Sequence, residues 1–424
     1  MNTLEQCARE GLYPVTLHNY VGLGGTGGTV ETVDDWHELG ITVGKTPPQS
    51  GGQAMPLVRA MLDRCSELGM KCFVNDSRCS GQVLLGGGSE DELRRGFAAA
   101  MKDYGDHPAL MGFEVGDEPA QKKIQPVFRT HGIQKEMAPQ LTPFLSLGAY
   151  SPGAIEWMGL RSYGRYLEEL VEVGGSNVFF HNNYGLAFKN STDSTEGYFL
   201  ALKMYADKAR ETGGIWTWVT LCCTPHGYIP DLTCDDIRRQ INTAAACGFK
   251  GIAWYLLYMS RFQNYRNAPY NIHGRKSDMY WILSDQQREF NRMHGSTLVK
   301  LTFREAYFIG GSWGGWPSTI DSELVKAVKV FGNEYPVIVS EFKAPDGGDY
   351  VSIVNNSSDR MGNALITWHG KAELWQIGWD GAEFRPRKYF DDDWPENPAL
   401  QTCVPLAPGQ MELFRVVSDA AERL

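Results

Sequence analysis

From about residue 12 to residue 301, short apolar runs alternate with stretches whose apolar residues recur at helical spacing. Residues 15–20 read as the first strand and 40–44 as the second, with a short helix over 32–39 between them. A helix over 53–69, apolar at Leu57, Met61, Leu62 and Leu68 and stopped by Gly69, leads to a third strand at 71–76. Ser89, followed by Glu90, Asp91 and Glu92, caps the next helix. The fourth strand runs through Met111, Phe113 and Val115 between Pro108 and Pro119, as a strand covered on both faces would. Helices over 127–137, 157–173, 195–211 and 234–247 deliver strands at 143–147, 177–184, 215–220 and 251–257 in turn, and a helix over 283–301 completes the series. Eight strand–helix units over about 290 residues match an α/β fold of the (β/α)8 TIM-barrel type. A doubly wound open sheet would normally use fewer units.

After residue 302 the helical period gives way to alternation. Residues 337–342, 350–354, 365–368 and 411–416 read as strands, separated by turn chemistry such as Asp346-Gly347-Gly348 and Asn355-Asn356-Ser357. The expected organisation is a catalytic barrel over 1–301 and a small C-terminal antiparallel β-sandwich over 302–424.

The composition narrows the function. Of the 424 residues, 42% are apolar and 21% charged, an ordinary globular balance with ample core. The net charge of −10 and the lack of a basic run argue against a nucleic-acid partner. No stretch approaches 18 consecutive apolar residues, so no membrane span is expected. Glu5, Arg9 and Glu10 interrupt residues 1–12, which do not read as a signal peptide. The nine scattered cysteines are expected to be free thiols in a reducing cytoplasm. The run 22–28 is rich in glycine but lacks a Gly-Lys-Ser/Thr ending and reads as a mobile loop over the site, not a nucleotide cradle. No cofactor is implied and no metal spacing is evident; His18, Asp76 and His181 are the set whose convergence would make a metal site. No G-x-S-x-G elbow is present, which argues against serine hydrolysis.

The candidate chemistry lies at the end of the fourth strand, where Asp117 and Glu118 precede Pro119. Carboxyl ends of barrel strands carry catalysis, and of two adjacent carboxyls one can keep its proton and serve as an acid. The plainer reading is acidic residues at a helix N-terminus. Glycoside hydrolysis needs two carboxyls, about 5–5.5 Å apart for retention and 6.5–9.5 Å for inversion. Glu118 is the expected general acid/base. Glu114 would lie roughly 13 Å below it and reads as a buried, paired group. Asp76, at the end of the neighbouring third strand, is one expected partner, although it equally suits pairing with Arg78. Asp117 should face away from Glu118 by strand alternation, unless the strand end frays; it would then orient a group of the substrate.

Other strand ends supply polar and aromatic groups suited to sugars. They are His18 and Asn19, Arg78, His181, Asn182, Asn183 and Tyr184, Trp216 and Trp218 followed by His226, and Tyr255 and Tyr258 followed by Asn264 and Arg266. Each alone is more plausibly core or loop bracing; their shared location is the argument.

The segments HPALMGFEVGDEP, QINTAAACGFKGIAWYLLY and NYRNAPYNIHG make residues 12–300 resemble TIM-barrel glycoside hydrolases of the broad β-galactosidase-like clan. That resemblance implies an acid/base Glu at the end of strand four, which Glu118 matches with Asp117 in the usual Asn place. It also implies a nucleophilic Glu at the end of strand seven, where this chain has only Thr220, Leu221, Cys222 and Cys223. An Asp-Glu pair without that carboxylate is similar to β-N-acetylhexosaminidases, in which the substrate's acetamido group is the nucleophile. Carried over, Glu118 is the acid/base and Asp117 orients the acetamide, with Tyr184 or Tyr255 assisting. The expectation is therefore a cytoplasmic glycoside hydrolase with a carbohydrate substrate. The alternatives are a catalytically silent carbohydrate-binding barrel, or a sugar lyase or isomerase.

Overall fold

The computed structural model describes residues 1–189, 191–259, 264–332, 334–370, 372–386 and 401–418. Residues 387–400 and 419–424 of the expected second domain therefore lie outside the described residues. Eight parallel strands follow the order read from the sequence: β1 (Val15–Leu17), β2 (Val43–Lys45), β3 (Lys71–Val74), β4 (Leu110–Asp117), β5 (Phe144–Ser146), β6 (Val178–Asn182), β7 (Trp216–Cys222) and β8 (Ile252–Tyr255). They form two arcs, β1-β8-β7-β6 and β2-β3-β4-β5. Thr42 N donates to Val15 O across one seam (3.0 Å), and Leu147 N to Phe180 O across the other (2.8 Å). With both seams joined, the arcs close into a TIM barrel.

The outer helices are α2 (Glu31–Glu38), α3 (Met55–Glu67), α4 (Gln82–Leu85), α5 (Glu90–Tyr104), α6 (Ile124–Met137), α7 (Pro152–Trp157), α8 (Tyr163–Gly174), α9 (Thr192–Glu211), α10 (Cys234–Ala246) and α11 (Asp278–Phe290) with its continuation through a π-helical turn to α12 (Ser296–Leu298). Ser89 and Glu92 cap α5 reciprocally, as the sequence implied. The helix expected over 157–173 is two helices, because the chain turns at Gly159 (φ 68°) before Ser162 caps α8. A helix not anticipated, α1 (Thr3–Glu10), is capped by Asn2 and Glu5. It brings Leu4 and Cys7 to the lumen, where they join Val43, Phe73, Met111, Phe144, Val178, Phe180, Trp218 and Ala253. The lower barrel is thus filled, and chemistry is left to the carboxyl ends. Eight of the nine cysteines are buried, and Cys234 is exposed.

The alternating segments form two antiparallel sheets. Their strands are β9 (Thr302–Ile309), β10 (Val325–Gly332), β11 (Val337–Lys343), β12 (Asp349–Asn355), β13 (Gly362–Trp368), β14 (Ala372–Ile377), β15 (Glu383–Phe384), β16 (Gln401–Leu406) and β17 (Met411–Ser418). The order is β15-β14-β17-β12-β11-β9 in one sheet and β10-β13-β16 in the other. Val337, Val339, Val351, Ile353, Ile366, Trp368 and Phe414 pack between them as a sandwich core. The sandwich sits against α9 and α10: Trp316 Nε1 donates to Phe199 O (2.9 Å), and Asn242 Nδ2 to Gly409 O (2.8 Å). Gly409 (φ 70°) leaves no room for a Cβ, which would fall 2.5 Å from Arg239 N.

Candidate active site

β4 departs from simple alternation. Met111 points into the lumen, whereas Phe113 and Val115 join the outer core against the helices. Register shifts against β3 (at Cys72/Phe73) and against β5 (at Glu114/Gly116) account for this. The first shift puts Glu114 in the lumen, 3.0 Å from Lys45 Nζ, as the buried ion pair expected of it. Burial pushes the Glu114 carboxyl up, against the pull of Lys45. The second shift sets Asp117 beside Ser146. Glu118 then follows at a positive φ (43°), held by its N–H to Ser146 O (2.8 Å). Bulged strand and left-handed residue together bring both carboxyls to the mouth. This corrects the expectation that Asp117 faces away from Glu118.

The two carboxyls have different surroundings. Asn182 Nδ2 donates to Glu118 Oε1 (2.7 Å), and Ser146 Oγ donates to Asn182 Oδ1 (2.8 Å), which fixes the amide's orientation. Partial burial pushes the Glu118 carboxyl above its ordinary range; Asn182 opposes the shift and the charge of Asp117 adds to it. Asp117 instead ends a chain of donors. Tyr20 donates to Asp117 Oδ2 (2.8 Å), His18 Nδ1 lies 3.0 Å from Tyr20 Oη, and Thr220 Oγ1 lies 2.9 Å from His18 Nε2. Tyr20 has one proton and gives it to Asp117, so it accepts from His18 Nδ1–H; Nε2 then accepts from Thr220. Burial lowers the His18 pKa to about 4, so the ring is neutral and this tautomer holds. The donors therefore run Thr220, His18, Tyr20, all toward the Asp117 carboxylate.

An aromatic wall stands opposite. Tyr184 stacks on Tyr255 (5.3 Å between centroids), and His226 stacks on Tyr265 (5.0 Å) and lies 5.2 Å from Tyr255. Tyr255 and Tyr265 share a short hydroxyl–hydroxyl contact. His226 Nδ1 donates to Thr224 O (2.7 Å). A cavity of about 510 Å³ opens beside Asp117, lined among others by Gln82, Gly116, Lys122 and Lys123. A larger cavity, about 1440 Å³, lies against Gly40, Ile41 and Thr42 before β2 and against the β14–β15 turn. It holds none of the candidate carboxyls.

Several expected site residues sit elsewhere. Asp76 is fully buried, and Arg78 donates to both of its oxygens (3.0 and 2.6 Å) while also binding Asp103 of α5 (2.8 Å). The pair is structural, so neither Asp76 nor Arg78 is free for substrate. His181 alternates outward from the lumen and stacks on Tyr205 of α9 (3.9 Å). Trp218 is lumen core, and Trp216 begins β7 at the opposite end of the barrel, under Lys250 (5.1 Å). Tyr258 packs under Gly27 and accepts from Trp36 Nε1 (2.8 Å). Asn19 donates to Gly27 O (3.0 Å) and Lys45 O (2.9 Å), which ties the end of the glycine-rich segment to β2. Asn183 accepts from Gly185 N (3.1 Å), Asn264 from Gly227 N (2.6 Å), and Arg266 donates to Ile229 O (2.6 Å); all three brace loops. His18, Asp76 and His181 do not converge, and no cluster of three or more metal-ligating side chains occurs among the described residues.

The structure thus brings together His18, Asp117, Glu118, Asn182, Tyr184, His226 and Tyr255. It adds Tyr20, Ser146, Thr220 and Tyr265. Tyr20 and Thr220 carried a signal: Tyr20 lies two residues after His18, and Thr220 two after Trp218 on its lumen-facing register.

No protein-family model matches the sequence, and no curated protein matches it. Solved structures do match its fold. One described as a glycoside hydrolase is 12% identical, with a TM-score of 0.58 over 97% of this chain and 93% of its own. A glycoside hydrolase family 5 protein from Bacteroides vulgatus is 11% identical, with a TM-score of 0.57 over 97% and 90%. A β-galactosidase from a psychrophilic Marinomonas is 11% identical, with a TM-score of 0.50 over 68% and 62%. The first two coverages show that barrel and sandwich together form one recurring architecture.

Proposed function

We propose that this chain is a glycoside hydrolase acting on sugars that carry a 2-acetamido group. Glu118 is the general acid/base, and Asp117 is the anion that orients and charges the acetamide. The single observation that carries this reading is the unequal treatment of two adjacent carboxyls. Glu118 is pushed toward its protonated form by burial, while three donors in series end on Asp117. Such a pair supplies an acid and a base from neighbouring positions. The similarity of the fold to solved glycoside hydrolases agrees with this choice of chemistry.

In the first step Glu118 gives its proton to the glycosidic oxygen as that bond to C1 breaks. The acetamido oxygen forms its own bond to C1, and Asp117 accepts the amide N–H and balances the positive charge of the ring so formed. In the second step the Glu118 carboxylate takes a proton from water as the water oxygen bonds to C1 and the ring reopens. Both bonds at C1 form on opposite faces in turn, so configuration is retained. No carboxylate is needed on β7, which brings Thr220 to His18 at the site.

The test is a series of aryl glycosides with mono-, di- and trifluorinated N-acetyl groups. Fluorination weakens the acetamido oxygen as a nucleophile, so the reading requires kcat to fall steeply along the series. A flat series would mean that a protein group attacks C1 and would overturn the role given to Asp117.

A further inference from the structure

Tyr228 is 96% exposed, the most exposed large apolar side chain among the described residues. An isolated exposed aromatic is common on protein surfaces. This one sits at the tip of a loop that is tied on both sides. Gly227 just before it gives one hydrogen bond to Asn264 Oδ1 (2.6 Å) and receives one from Asn264 Nδ2 (3.2 Å), and Ile229 just after it accepts from Arg266 (2.6 Å). Arg266 N also donates to Pro225 O (3.1 Å), and Thr224 Oγ1 donates to Leu256 O. Gly227 supplies the left-handed turn (φ 55°) that aims the tip outward. A loop held by this many bonds, yet leaving the Tyr228 ring in water, is a rigid mount for that ring.

The mount is continuous with the candidate site. Asn182, which binds Glu118, is two residues from Tyr184; Tyr184 stacks on Tyr255, Tyr255 meets His226, and His226 is two residues from Tyr228. An aromatic cluster thus runs from beside the carboxyls to His226, in the loop that carries Tyr228. A sugar presents an apolar C–H face and a polar edge, which suits a tyrosine ring with its hydroxyl at the margin. We infer that Tyr228 is an outer binding subsite for a pyranose ring of an oligosaccharide, beyond the sugar cleaved at Glu118. The substrate class would then be a chain and not a single glycoside. The inference rests on the proposed hydrolase reading, but it is tested separately.

The experiment compares wild type, Tyr228→Ala, Tyr228→Phe and Trp379→Ala. Trp379, 72% exposed at the β14–β15 turn of the sandwich, is a surface-aromatic control. Probes are aryl monosaccharide glycosides and hexasaccharides of N-acetylglucosamine, glucose, mannose and galactose, with turnover and calorimetric binding both read. The expected result is that Tyr228→Ala weakens KM, or binding, for a hexasaccharide about five- to tenfold, the effect of covering one ring face. Tyr228→Phe and Trp379→Ala should leave it unchanged, and all variants should keep wild-type values on the aryl monosaccharides. Equal loss on monosaccharide and hexasaccharide would overturn an outer subsite, as would no loss on either. If wild type binds a hexasaccharide without cleaving it, the hydrolase reading fails, while the binding arm still decides the role of Tyr228. If it binds none of the four, the subsite is overturned.

Discussion

Asn182→Ala separates a catalytic role for Glu118 from a merely structural one, because it should move two observables in different directions. Asn182 Nδ2 donates to Glu118 Oε1 at 2.7 Å, and Ser146 fixes the amide so that no other orientation competes. A hydrogen bond to an ionised group is worth about 1.5–3 kcal/mol. Glu118 is partly exposed, so solvent screening reduces this to roughly 1–1.5 kcal/mol. At 1.36 kcal/mol per pH unit, the Glu118 pKa should rise by about one unit when the donor is removed. The sign follows from which form the donor favours. Asn182 stabilises the carboxylate, so its loss favours the acid.

The general acid must be protonated in the first step. The alkaline limb of kcat/KM should therefore move up by about one pH unit in Asn182→Ala. At the optimum, kcat should fall by about tenfold, because Glu118 loses its orientation. The assay is the pH dependence of kcat/KM on an alkyl or aryl N-acetylglucosaminide with a poor leaving group. Ser146→Ala should give a smaller shift of the same sign, since it only loosens the amide. An alkaline limb that stays in place or moves down in Asn182→Ala would refute the assignment of that limb to Glu118.

Tyr20→Phe removes the last donor to Asp117 and should cut kcat by about ten- to a hundredfold on N-acetyl substrates, with a smaller change in KM. It also strands His18 Nδ1–H, so thermal denaturation should show a loss of about 1–3 kcal/mol. Glu118→Gly should abolish turnover yet raise stability by about 1 kcal/mol, because glycine tolerates the positive φ that glutamate holds at 43°. Glu118→Gln should raise the melting temperature at neutral and alkaline pH and not in acid. A carboxyl whose folded pKa is raised stabilises the fold when protonated, and that contribution is lost as pH rises through the folded value. Asp76→Asn should lower stability by about 3 kcal/mol through the unpaired Arg78 network and leave kcat unchanged; a large loss of kcat in a folded variant would restore Asp76 as a candidate. Lys45→Met should destabilise by about 3–5 kcal/mol at alkaline pH by leaving Glu114 charged and alone. The loss should shrink in acid, where Glu114, already pushed up by burial, takes a proton.

Much of the fold was legible because hydrophobic period and punctuation agreed along the chain. Each of the eight strands fell within or close to an apolar run bounded by glycine, proline or a helix cap, and Ser89 with Glu92 marked the start of α5 from sequence alone. The carboxyls of β4 were also legible, since Asp117 and Glu118 end an apolar strand before Pro119. What the pattern hid was local backbone geometry. The register shifts on β4 and the positive φ at Glu118 have no signature in residue type, and they are what bring Asp117 to the mouth. Strand ends also misled in a systematic way. Polar residues there brace the barrel as often as they face its mouth, as Asp76 with Arg78 and Asn183 with Gly185 show. Trp216 and Trp218 lie at the start and middle of β7, below the mouth, where lumen filling and not ligand contact selects large rings.

The central claim is tested most directly by hydrolysis of paired aryl glycosides, with and without the 2-acetamido group, by wild type, Glu118→Gln and Asp117→Asn. The account predicts wild-type turnover confined to the N-acetyl sugars and lost in both variants. Turnover on plain sugars that survives Asp117→Asn but not Glu118→Gln would contradict the role of Asp117 and require a second carboxylate elsewhere. Activity untouched by Glu118→Gln would contradict the account as a whole.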